Sequence, residues 1–150
     1  MSNLVTIKQA VYLRNLGFNE YTMRYGFKFF ENTIYKLQQT VALSKESQND
    51  KRKLLLSVPT VDQAIDWVRR KYGICIYDKS EPFVDPIKNH IVYAYAVKKC
   101  DKKRGWNYRT YIGNTNWSKD SYAMKRQALW LAIRFIIKNV KRRTNSHHRR

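Results

Sequence analysis

Acid is what this sequence has least of for its size. Eleven Asp and Glu stand against 30 Lys and Arg in 150 residues, a formal charge of +19. The deficit is uneven. Residues 98–150 hold 16 of the basic residues and two acids, Asp101 and Asp120. One sign concentrated in this way repels itself in a compact chain and is relieved by a polyanionic partner.

Other shortages exclude further classes. There are two cysteines, Cys75 and Cys100, each alone in a predicted strand or at its end. They make neither a disulfide framework nor a zinc site and read as small, reduced core or edge residues. The longest apolar stretch, Ala128 to Ile137, is interrupted by Arg134. It falls short of the roughly 20 residues a membrane span needs. The N-terminus has no basic and apolar regions of a signal peptide. A Gly-rich phosphate loop, a nucleophile elbow, a His-x-Glu pattern and a paired-Cys pattern are all missing. The scattered acids do not form the carboxylate cluster that a metal-dependent nuclease uses. Asp62 and Asp66 share a helical face, but Arg69 and Arg70 are spaced to neutralise them. His147 and His148 have no Cys, Asp or Glu near them in sequence. The expectation is no catalytic residue, no metal and no cofactor.

What is present belongs to a folded protein: 43% hydrophobic and 14% aromatic residues, too apolar for a basic disordered tail. Thr6-Ile-Lys-Gln-Ala-Val11 and Thr60-Val-Asp-Gln-Ala-Ile65 each open with Thr and carry Gln three residues on. That is a capping box, and Gly17 and Gly73 stand where the helices should stop. The pattern predicts helices at about 6–16 and 60–72. Tyr21–Phe29 is rich in β-formers and reads as one strand or as a hairpin with Thr33–Leu37. Residues 44–53 are polar without periodicity, and Pro59 disfavours helix at Val58.

In the second half, Ile74–Tyr77, Ile91–Val97 and Trp106–Ile112 read as strands, with loops at Ser80–Asn89, Lys98–Gly105 and Gly113–Trp117. Ser118 or Asp120 caps a helix to about Val140. On it Tyr122, Leu129, Ile133, Ile136 and Val140 form one buried stripe. The fold class is therefore α+β, a small antiparallel sheet packed on helices. Residues 1–43 make a helix-plus-hairpin lobe, 44–58 a linker, 59–140 an α-β-β-β-α lobe and 141–150 a disordered basic tail.

Two resemblances accompany these residues. The helix–strand–strand–strand–helix order over 60–140 resembles the double-stranded-RNA-binding domain. His90 stands much where that family has its loop histidine, and Ser118-Lys119 resembles the Ser-Lys that opens its last helix. Asp120 and Ser121 follow in place of further basic residues, and the Gly-Pro before the histidine is absent. Separately, three phrases resemble small proteins encoded by bacteriophages and prophages of gut Bacteroidetes. They are Ala10-x-x-Leu13-x-x-Leu16-Gly17-Phe18-Asn19-Glu20, Pro59-Thr60-x-x-x-Ala64-x-x-Trp67-Val-Arg69-x-x-x-Gly73-Ile74 and Ser121-Tyr122-x-x-x-x-Gln-Ala128. That resemblance implies a phage setting, in the infected host's cytoplasm or the virion. It implies no activity.

The candidate interface follows from the charge. Lys98, Lys99, Lys102, Lys103 and Arg104 form the densest basic run, flanked by Tyr95, Trp106, Tyr108 and Arg109. A charged hairpin tip tracks phosphates while aromatics stack on bases; alternatively it is a solvated turn. Lys119 precedes the last helix, on which Arg126, Trp130, Arg134, Lys138 and Arg142 recur every four residues, joined by Lys141 and Arg143. This stripe is a phosphate-tracking edge or an ordinary solvent face. The expected function is nucleic-acid binding with low sequence specificity. The alternative is a virion structural or assembly protein whose basic face meets packaged DNA or an acidic partner.

Overall fold

The computed structural model describes residues 3–20, 22–30, 33–44, 55–79, 83–85, 90–100 and 109–148, with 23–44, 55, 83–85, 90 and 140–148 as backbone only. The chain divides into two compact units, residues 1–63 and 64–150. The class is α+β, and in the second unit a three-stranded antiparallel sheet packs against a helix.

In the first unit α1 (Ile7–Asn15) starts at the predicted capping box. The Gln9 N–H donates to Thr6 Oγ1 at 3.1 Å, and the Thr6 N–H donates to Gln9 Oε1 at 3.0 Å. Its end is a Schellman turn. Phe18 N–H reaches Leu13 O at 2.9 Å and Gly17 N–H reaches Arg14 O at 3.0 Å, with Gly17 at φ 95°. Phe18 and Leu13 are both buried, so the turn closes on an apolar contact pair.

The strands β1 (Thr22–Phe30) and β2 (Thr33–Ser44) pair as an antiparallel hairpin. On the other side of β1 lies β3 (Leu55–Val58), giving the order β2-β1-β3, and α1 packs on β3. This corrects the expectation of a linker over 44–58. Leu56 and Val58 are buried, and their backbone is claimed by β1 before Pro59 ends the strand. Positions 45–54 lie outside the described residues.

Thr60 caps α2 (Val61–Tyr72), accepting from the Gln63 N–H at 3.1 Å. Gly73 follows at φ 68° and turns the chain into β4 (Ile74–Asp78). Two short strands, β5 (Phe83–Asp85) and β6 (His90–Val92), pair in a separate ribbon. The main sheet is β4-β7-β8, with β7 (Tyr95–Cys100) central and β8 (Arg109–Asn114) at one edge. Five expectations change here. β5 lies within the expected loop Ser80–Asn89, so five strands and not three separate α2 from the last helix. β8 starts at Arg109 and runs on through Gly113 and Asn114, where a turn was expected, because its backbone pairs with Val97 and Ala96. The predicted strand Ile91–Val97 is two strands, interrupted where Tyr93 bridges to Ser118. His90 belongs to β6, not to a loop. Lys98, Lys99 and Cys100 are strand, not turn, because β7 has a partner on both sides and long Lys stems lie along a sheet while their ammoniums reach water.

The last helix, α3 (Ser121–His148), is capped by Asp120, whose carboxylate accepts from the Ala123 N–H at 3.0 Å. Ser118 supports the cap by accepting from the Asp120 N–H at 3.1 Å. Ala128, Leu129, Ala132, Ile133 and Ile136 are buried, and α3 packs on β4, β7 and β8. Tyr122, expected on that stripe, is half-buried. The expected disordered tail is corrected over 141–148, which continue the helix. No Pro or Gly follows Gly113, Lys and Arg are good helix formers, and cations suit a helix C-terminus.

Candidate nucleic-acid interface

Register decides which predicted residues meet. Opposed residues in an antiparallel pair share a face. Ile74, Ile76, Tyr95, Val97 and Lys99 therefore share one face, and Cys75, Tyr77, Ala96, Lys98, Cys100, Arg109 and Tyr111 the other. The first face lies under α3. Ile74 and Val97 are buried, and an added Cβ at Gly113 would meet the Leu131 side chain at 3.2 Å. Lys98 and Lys99, neighbours in the expected basic tip, thus point to opposite sides of the sheet.

The face away from α3 carries a compact set of cations and rings. The Arg109 guanidinium lies 4.8 Å from the centre of the Tyr77 ring. Across from Lys98 stands Tyr111, 58% exposed. A cation over one ring beside an open second ring is suited to phosphate contact with base stacking. On the same face Cys75 and Cys100 bring their sulfurs to 3.5 Å, and the Tyr77 hydroxyl lies 3.7 Å from Cys100 Sγ. The cysteines are free thiols and are not isolated in space. Burial, countered by the Tyr77 hydrogen bond, pushes the Cys75 thiol above its ordinary range. Burial and the two thiols push the Tyr77 phenol up as well. Both stay protonated at neutral pH.

On α3, Arg134 and Lys138 are exposed, while Arg126 and Trp130 are half-buried. Arg134 lies 5.7 Å from the Trp130 ring centre, so a cation already occupies one face of that ring. No acidic residue occurs anywhere in α3. Lys119 is exposed just before the helix. The backbone of Lys141, Arg142 and Arg143 continues α3. Lys102, Lys103, Arg104, Trp106 and Tyr108 lie outside the described residues.

The described members of the sequence-predicted set therefore lie on both sides of the sheet: Lys98 and Arg109 on the face away from α3, where Ala96 and Cys100 are buried, and Lys99 on the face under α3, with the α3 stripe beyond it. Tyr95, expected as a flanking stacker, is buried. Its hydroxyl is 2.8 Å from Ser121 Oγ and its N–H donates to Thr115 Oγ1 at 2.9 Å. Tyr77 and Tyr111 were missed because only the strand register places them beside Arg109 and Lys98. Arg69 and Arg70 take up the Asp66 carboxylate at 2.6 and 2.7 Å and hold it below the usual carboxylate range. Among the described residues no group of three or more His, Cys, Asp or Glu is placed to hold a metal, and no helix is long and apolar enough to cross a membrane. No family model, curated protein or solved structure matches the chain.

Proposed function

We propose that this chain is a nucleic-acid-binding protein of low sequence specificity in a phage setting, a binder and not an enzyme. One observation carries the reading. Exposed Tyr111 lies opposite Lys98 and on the same sheet face as the Tyr77–Arg109 pair, so cations and an open ring share one surface. Phosphate contacts supply sequence-independent affinity, and ring stacking accepts any base. The α3 stripe extends the positive surface to the other side of the sheet. A gel-shift panel of single- and double-stranded DNA and RNA at two salt concentrations tests this. The expected result is binding that ignores sequence and weakens with salt; no shift for any of the four ligands at low salt sinks it.

A virion structural or assembly role has its own support in Ile91 and Trp117, 48% and 46% exposed. Such rings and aliphatic groups are protein-interface material. Size-exclusion chromatography before and after nuclease treatment separates the two. A nucleic-acid binder loses co-purifying absorbance near 260 nm (roughly the base absorption maximum), whereas an assembly protein keeps a stable oligomer.

A further inference from the structure

On the α3 side of the sheet, the end of α2, the start of β4, β7 and α3 enclose a cleft of about 220 Å³. Ile74 and Ile136 give it an apolar floor. Tyr72 and Phe135 contribute rings, and Lys71 and Lys99 contribute two ammoniums. Asn139 adds an amide, a donor and an acceptor together. No lining residue is acidic. The Lys99 ammonium stands 5.9 Å from the Phe135 ring centre, and that of Lys71 lies between two rings, 5.2 Å from the centre of Trp67 outside the lining and 5.8 Å from that of Tyr72. Each wall therefore pairs a ring with a cation. Burial raises the Tyr72 phenol, which keeps its hydroxyl protonated and neutral.

This lining selects its ligand by chemistry. Two cations without a carboxylate favour an anion of more than one charge. Rings over an apolar floor favour a flat, weakly polar body. The volume is below the roughly 300–1,000 Å³ of drug-sized sites, so the cleft takes at most one small unit, part of it left in solvent, and not an oligomer. We propose that the cleft binds a single nucleoside 5′-monophosphate unit. Lys71 and Lys99 hold the phosphate, the base lies against Tyr72 and Phe135, and Asn139 reads the base edge. The unit comes either from a free nucleotide or from the 5′-phosphorylated end of a strand. The strand-end source rests on the nucleic-acid reading above; the free-nucleotide source does not.

The test titrates the full chain with adenosine 5′-monophosphate, adenosine and inorganic phosphate by calorimetry. The monophosphate should bind tighter than either fragment. Lys99→Gln should weaken it about tenfold, the usual scale of one charge-assisted contact. Lys8→Gln, which removes one exposed charge from α1 in the first unit, should leave it unchanged. If Lys99→Gln melts early, Asn139→Asp keeps the shape, adds a negative charge to the lining and should weaken the monophosphate likewise. Equal losses in the Lys8 and Lys99 variants would mean diffuse attraction and overturn the site, as would a monophosphate that binds no tighter than phosphate. Oligonucleotides with and without a 5′-phosphate then separate the sources. A preference for the phosphorylated end that vanishes in Lys99→Gln identifies the strand end; equal binding, with the monophosphate still bound, identifies the free nucleotide. A chain that shifts no oligonucleotide but binds the monophosphate loses the general reading and keeps the cleft.

Discussion

Cys75 Sγ and Cys100 Sγ lie 3.5 Å apart on neighbouring strands, yet the two residues are not directly opposed. Cys75 faces Lys98, and Cys100 is two positions further along β7. Diagonal neighbours of this kind are typically about 7–8 Å apart at Cα, near or beyond the upper limit for an unstrained disulfide. The sulfurs touch as thiols, with the Tyr77 hydroxyl against Cys100.

That cluster sets an alkaline limit on stability. Burial raises Cys75 above its ordinary value of 9.0, and burial with the adjoining thiols raises Tyr77 above 10.0. Both groups are neutral when protonated, and both are raised in the folded state. Their contribution is complete below the unfolded values and is lost as pH climbs through the folded ones. The melting temperature should therefore hold up to about pH 9 and fall steadily above it. Tyr77→Phe and Cys75→Ser should each flatten that fall. A melting temperature constant to pH 11 (roughly a unit above the free phenol value) in the wild type would show that the cluster is solvated.

Leu129 and Ile133 test the α3 packing. Both are fully buried on the face that meets the sheet. Leu129→Asp or Ile133→Asp places a carboxylate there without a partner, at a cost of several kcal/mol by order of magnitude. Circular dichroism should show the second unit unfolded, while Leu129→Ala should retain a fold weaker by about 2–5 kcal/mol. An unchanged melt for either Asp variant would mean that α3 faces another way.

Gly73 tests the turn from α2 into the sheet. Its φ of 68° is left-handed, and an added Cβ would sit 3.5 Å from Cys100 O, an ordinary contact. The cost of Gly73→Ala is thus conformational, about 1–2 kcal/mol. A denaturant midpoint equal to wild type would show that the turn relaxes to negative φ.

The legible parts of the fold were those written in local chemistry. Thr6 with Gln9, Thr60 with Gln63, Gly17 and Gly73 announce helix ends by short-range hydrogen bonding. Leu129, Ile133 and Ile136 announce the inner face of α3 by their spacing. What escaped depends on distant partners. Leu55–Val58 is strand because β1 supplies hydrogen bonds, and Lys98–Cys100 is strand because β4 and β8 flank it. The candidate site suffered most. A charge run can be counted in sequence, but Lys98 and Lys99 part company through the two-residue alternation of a strand. Tyr77 meets Arg109 only through two successive registers.

The function itself is tested on the sheet face away from α3. Lys98→Gln with Arg109→Gln removes two charges and little apolar surface. If both reach phosphate, affinity should drop for every sequence. The slope of log affinity against log salt should become shallower by up to about 0.9 per lost contact on duplex, or about 0.7 on a single strand. Tyr111→Ala is the companion. Its ring is 58% exposed, so its loss should leave the melting temperature within about 0.5 kcal/mol of wild type in stability terms. A stacking ring should cost roughly 1–3 kcal/mol on single strands, and less on duplex, whose bases already stack on one another. Arg134→Gln, on the far side of the sheet, reports whether the α3 stripe engages the same ligand. An effect on duplex larger than on single strands would assign α3 to the backbone-tracking surface. If the Lys98/Arg109 variant keeps the wild-type affinity and salt slope, and Tyr111→Ala binds single strands as well as before, the sheet face is not the interface. The exposed Ile91 and Trp117 then become the surface to pursue, as a contact between proteins.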